Sequence, residues 1–184
     1  GYSGYSEISV FGSASANPAP AGPVITAQNE LGAFDWTVET PNLIANQLPS
    51  SHGPGSFANE GCSEAGLTDG VLAFGGGTNS ASCGSDSAAV PWVICNSASG
   101  WDLSNIVVYS LWHDYGRDGQ FYNLSYSTLS APTTFVPLAS VSYNPDVPTD
   151  GTASGNRVAI SPAPGQTLLA SNVYAVKFDF TPQG

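Results

Sequence analysis

The run Phe121–Thr128, FYNLSYST, decides the fold class. Tyr122, Leu124 and Tyr126 fall on one side of it, and Asn123, Ser125 and Ser127 on the other. A period of two, built from aromatic and aliphatic residues facing polar ones, reads as a strand with one buried face. The flanking segments repeat the signal. Ile106–Trp112 (IVVYSLW) is the most hydrophobic run and predicts a central strand covered on both faces. Tyr174–Phe180 (YAVKFDF) sets Tyr174, Val176, Phe178 and Phe180 against Lys177 and Asp179.

Shorter strands are predicted at Ala89–Cys95, at Phe135–Tyr143 with a break at Pro137, and at Arg157–Ser161. Val24–Glu39 reads as an opening strand region with Phe34, Trp36 and Val38 on one face. Leu43, Ile44 and Leu48 mark a helical turn ended by Pro49, and Leu67–Thr68–Asp69–Gly70 a tight turn, because Asp-Gly supplies the positive φ. No stretch holds a 3.6-residue period over helix length. Short strands at this spacing predict an all-β chain, an antiparallel β-sandwich of jelly-roll type.

Composition narrows the partners. Among 184 residues there are 14 acids and three cations, Arg117, Arg157 and Lys177, for a formal net charge of −11. That excludes a nucleic-acid binder, which needs clustered Lys and Arg, and disfavours an anionic membrane surface. No apolar run reaches the length that spans a bilayer, so no membrane insertion is expected. With no methionine and no leader ahead of Gly1, the chain reads as a processed product or a segment of something longer. Cys62, Cys83 and Cys95 have no metal-site spacing; they predict one disulfide and a spare thiol in an extracellular setting, the pairing left open. A Cys62–Cys83 bridge would close the loop around Gly75–Gly77 and stabilise by about 3 kcal/mol. Asn123–Leu124–Ser125 is a sequon, making Asn123 a glycosylation candidate.

The chain's first strand stands apart. Gly1–Gly12 (GYSGYSEISVFG) alternates Ile8 and Val10 with Glu7 and Ser9 and closes on Phe11. The linker that follows, residues 13–23 (SASANPAPAGP), carries three prolines and offers no hairpin partner. Residues 1–12 are therefore expected to complete the sheet of their own or a neighbouring domain, with residues 24–184 forming the sandwich.

In the second half, Trp101–Asp102–Leu103–Ser104, the strand Ile106–Ser110, the turn Trp112–Asp118 and the strand Asn123–Thr128 come in an order that resembles the discoidin-like (coagulation factor 5/8 C-domain type, galactose-binding-like) sandwiches. Leu67–Gly70 resembles the L-T-D-G turn of that family, and Tyr174–Phe180 its late strand. The family's last strand, of the form S-E-I-x-V-F-G, is missing after Phe180 and stands instead at Ser6–Gly12, as in a permuted domain or a repeat cut out of phase. The resemblance implies an edge left open beside Tyr174–Phe180 for that strand. It also implies a structural calcium ion near Asp69 and Glu7, since hard cations take carboxylates and turn carbonyls.

A sugar site is a second expectation. Trp112, His113, Asp114, Tyr115, Arg117 and Asp118 group an aromatic platform with planar hydrogen-bonding side chains. The alternative is that Arg117 pairs with Asp114 or Asp118 while Trp112 packs in the core. No G-x-S-x-G and no marked carboxylate pair points to catalysis. The expected function is a non-catalytic extracellular structural or adhesive module. It would join copies of itself head-to-tail by exchanging the strand that carries Glu7, Ile8, Val10 and Phe11. The alternative is a carbohydrate-binding module that recognises extracellular glycans.

Overall fold

The computed structural model describes residues 22–51, 64–72, 89–93, 98–112, 119–145 and 149–180. The strand and linker expected at 1–12 and 13–21, the three cysteines and the polar turn 113–118 lie outside the described residues. Among the described residues eight strands form two antiparallel sheets: β1 (Val24–Leu31), β2 (Ala89–Val93), β3 (Trp101–Leu103), β4 (Ile106–Trp112), β5 (Gln120–Thr128), β6 (Ala131–Tyr143), β7 (Ser154–Ser161) and β8 (Ala170–Phe180). One sheet has the order β1-β7-β4; the other runs β2-β8-β5-β6, with β3 also on β8. The two pack face to face as an all-β sandwich. The only helix among the described residues is the 3-10 turn Glu64–Leu67.

The core follows the alternation that the sequence displays. Tyr122 and Leu124 of β5 are 2% and 1% exposed, and Val173, Val176 and Phe178 of β8 are buried beside them. Val158 and Ile160 of β7 close the core from the other sheet at 0%. Tyr122 meets the edge of Phe180, and its centroid lies 5.5 Å from that of Phe178, a geometry aromatic pairs favour. Ser127, expected outward, is buried opposite the equally buried Ala175 of β8.

Three expectations are corrected. Among the described residues Ile106–Trp112 is not a central strand: β4 has β7 on one side and no strand on the other, and its residues before Trp112 are half-buried. The strand covered on both faces is β7, whose sequence SGNRVAIS is far less hydrophobic. Its inner face meets the second sheet, and its outer face lies under the segment 33–39. Phe135–Tyr143 is not broken at Pro137; β6 runs unbroken from Ala131. It is an edge strand, and Pro137 sits where the register slips between Leu124 and Ser125, so its missing N–H disturbs no ladder. Lastly, β8 has no open edge. β5 pairs with it on one side and β2 and β3 on the other, so the strand 6–12 has no vacancy beside Tyr174–Phe180.

Two amide side chains inside the sandwich are bonded across strands, while the buried Ser127 hydroxyl has no hydrogen-bond partner among the described residues. Gln120, 3% exposed, sends Nε2 from β5 to the carbonyls of Val108 (3.0 Å) and Asn156 (3.1 Å) in the other sheet. Asn29 Nδ2 lies 2.9 Å from Ser154 Oγ and from Asn156 Oδ1. Where β3 meets β8, Gly100 adopts φ +68, and a Cβ there would stand 2.8 Å from the Asn172 backbone, so only glycine fits.

Leu124→Ala should destabilise the fold by about 2–5 kcal/mol in urea unfolding, as buried leucines do when a cavity is left. Burial pushes the Tyr122 hydroxyl well above its ordinary value of 10.0. The unfolded chain therefore releases this proton near pH 10 while the native state retains it. The stability tied to that proton is complete below pH 10 and falls by about 1.4 kcal/mol per pH unit above it. Tyr122→Phe should remove that share of the alkaline slope in unfolding curves taken between pH 9 and 12.

Candidate functional site

Among the described residues a concavity opens beside β4, between the two sheets. It has a volume of about 160 Å³. Val38, Ile44, Leu67, Val71 and Leu72 line its rim, Val108 its inner wall, and Phe178 and Phe180 its floor. Clefts for drug-sized ligands run to about 300–1,000 Å³, so this one suits a few aliphatic side chains instead.

Two turns build the rim. In residues 43–46 the chain makes the turn expected there, with Asn42 O accepting from Ala45 N–H and Ile44 O from Gln47 N–H. The second is the L-T-D-G turn. Gly70 takes φ +80, and Asp69 Oδ1 accepts the Val71 N–H at 2.9 Å, the local bond for which Asp is favoured in turns. Thr68, buried at 3%, joins the two turns: its carbonyl accepts from Asn46 N–H at 2.8 Å, and its hydroxyl donates to Gln47 O at 2.8 Å. Ser50 Oγ accepts the Val93 N–H at 3.1 Å, fastening the first turn to β2.

A cover of aromatic and polar groups lies over the outer face of the three-stranded sheet. Trp36 stacks on Phe34 at 6.0 Å and leans on Tyr109 at 6.2 Å, passing over Gly155 where a side chain would crowd it. The Tyr109 hydroxyl donates to Thr37 O at 3.1 Å. Arg157 is paired with Glu39 and also donates to Gln28 Oε1, and Asn105 donates to the second Glu39 oxygen at 3.1 Å. Burial lowers the Arg157 pKa, but hydrogen bonds and charge from Glu39 and Tyr109 outweigh it and hold the guanidinium above its ordinary range. These groups satisfy one another and fasten residues 33–39 onto β7. The sequence placed Phe34, Trp36 and Val38 on one face; the alternation is real, but the segment is a cover and not a strand.

The expected site residues fare unevenly. Trp112 is 7% exposed at the end of β4 and presents little ring face to a sugar in solvent. His113, Asp114, Tyr115, Arg117 and Asp118 lie outside the described residues, as do Glu7, Ile8, Val10 and Phe11. Asn123 is exposed on β5, open to modification on the outward face. Asp69 stands at the rim of the cleft. No group of three or more metal-ligating side chains occurs among the described residues, and calcium wants about six to eight oxygens. The described residues thus offer it one carboxylate and do not by themselves fit the ion. Sequence reading missed the Arg157–Glu39 pair; the scarcity of cations, each needing a partner, was the available signal. Compared with protein-family models, characterised proteins and solved structures, the chain matches none.

Thr68→Val keeps the side-chain shape but removes the hydroxyl bond between the two turns. It should lower stability by about 1 kcal/mol and speed exchange of the Asn46 amide. Both are read from urea midpoints and amide exchange by NMR.

Proposed function

We propose that this chain is a non-catalytic structural or adhesive module of extracellular surfaces, which joins neighbouring copies by exchanging its N-terminal strand. The observation that carries the reading is the character of the edge at β4. Natural sheets guard their edges with proline, charge or bulges. β6 has Pro132, Pro137 and two register shifts, and β2 has Pro91. Ile106–Leu111 has no proline, glycine or charge, and among the described residues no strand lies on its outer side. An apolar edge without proline or charge, faced among the described residues only by the turns at the cleft, in a chain that also carries an alternating strand far from any hairpin partner is the arrangement that strand addition uses.

A discoidin-like build belongs to the same proposal. Its support is that the residues carrying the resemblance fall on successive strands, β3, β4 and β5, and that L-T-D-G forms the turn at the cleft. Exchange of one strand from copy to copy is heterologous, so it propagates as a fibre unless the rotation closes.

Refolding from denaturant at high protein concentration should yield a ladder of oligomers that persists on dilution, read by size exclusion with light scattering. Ile8→Asp/Val10→Asp should yield none. A ladder unaffected by these substitutions, or none at any concentration, overturns the exchange mechanism.

A further inference from the structure

The cleft and the β4 edge have an occupant within the same chain. We infer that residues 6–12 add antiparallel to Ile106–Leu111 of their own molecule, with Ile8 and Val10 entering the cleft, so that each module is closed on itself until a neighbour displaces the strand. The inference rests on the strand-exchange reading and adds to it where the strand docks and what restrains exchange.

Burial indicates that the sandwich is incomplete on this side. In the inward rows from Ile106 to Ser110 the β7 residue is buried while its β4 partner is half-buried. Ile160 and Val158 are 0% exposed, yet Ile106 and Val108 opposite them are only half-buried. Val108 of this row lines the cleft together with Val107, Tyr109 and Leu111 of the other β4 face, and Phe178 and Phe180 form its floor. A strand on the β4 edge has alternate residues on the Ile106–Val108 face. Ile8 and Val10 are the aliphatic pair with that spacing, and Glu7 and Ser9 then share the outer face with Tyr109.

Chain reach selects the copy and the direction. In the paired register Val24 lies opposite Ser161, one residue from the row Ile25, Ile160, Ile106. The start of β1 and the start of β4 are therefore at the same end of the sheet. An antiparallel strand on β4 brings Gly12 to that end. From there to Val24 is three strand spacings, about 14 Å. The linker of residues 13–23 reaches about 36–40 Å when extended, so it closes the path within one molecule. A parallel strand would leave Gly12 at the far end and send the linker back across the face already covered by residues 33–39. A short tether gives the strand an effective concentration on the order of millimolar at its own edge, which a neighbour must exceed. The opposite edge, β1, is the competing acceptor. It presents Gln28, Asn29 and Glu30, and its apolar residues Val24, Ile25 and Leu31 are 39–45% exposed and do not line the cleft.

The test uses the full chain by NMR at micromolar concentration. Outward amides of Ile106–Leu111 should be protected from exchange by on the order of 100-fold, and nuclear Overhauser contacts should join residues 8–10 to 106–110. Ile8→Asp/Val10→Asp should abolish both while the Val158 and Ile160 amides stay protected. If that variant unfolds, the wild-type contacts alone decide. Contacts from residues 8–10 to 24–31, or rapid exchange of the outward β4 amides, overturn the inference. Mixing labelled with unlabelled chain separates it from the proposed function. Contacts that stay within one molecule even after refolding at high concentration leave the docking site standing and remove exchange. Oligomers without β4 contacts do the reverse.

Discussion

The sandwich depends on one side chain that crosses it. Gln120 begins β5, in the five-stranded sheet, and its amide donates to carbonyls on β4 and β7 of the other sheet. Two sheets facing each other through aliphatic side chains have little to set their relative position, because the hydrophobic effect is non-directional. A buried amide is directional, and leaving it unbonded costs more than a formed bond contributes. Gln120 therefore fixes the spacing of the sheets at the point where β4 and β7 run side by side. The Tyr122 hydroxyl donates to Gln120 Oε1 at 3.3 Å, which holds both the amide and the ring that packs on Phe178 and Phe180.

From that clamp the roles of β7 and β4 follow. β7 is the middle strand of its sheet, with the second sheet beneath and the Trp36 cover above, so its polar residues Ser154 and Asn156 are drawn into full burial and answered by Asn29. β4, at the sheet's side, holds the more hydrophobic sequence and the less complete burial. That mismatch is what gives the β4 edge its interest. An apolar strand at an unguarded edge is a hazard for a protein that leaves it open, and a docking surface for one that covers it.

Strand existence was legible almost everywhere that alternation was clean. FYNLSYST and YAVKFDF lie in β5 and β8, and the L-T-D-G turn forms with Gly70 at positive φ. The candidate site was legible only in part. Asp69 and the turn around Leu43 and Ile44 do meet at one cleft, but nothing local to either segment announces the other. The bond from Thr68 to Gln47 that joins them spans 21 residues. Trp112 was weighed as a platform and as a core residue, and burial puts it in the core.

By itself the sequence determined the fold class, because a period of two is a local property that each strand carries in its own residues. It also determined that the chain is short of cations, but which carboxylate Arg157 meets was decided only by the fold. Strand order was decided only in three dimensions. Hydrophobicity measures how much a segment gains from burial, not which neighbours supply it. For that reason IVVYSLW became an edge, SGNRVAIS became the covered centre, and the edge beside YAVKFDF, expected to be open, was filled on both sides by β2, β3 and β5.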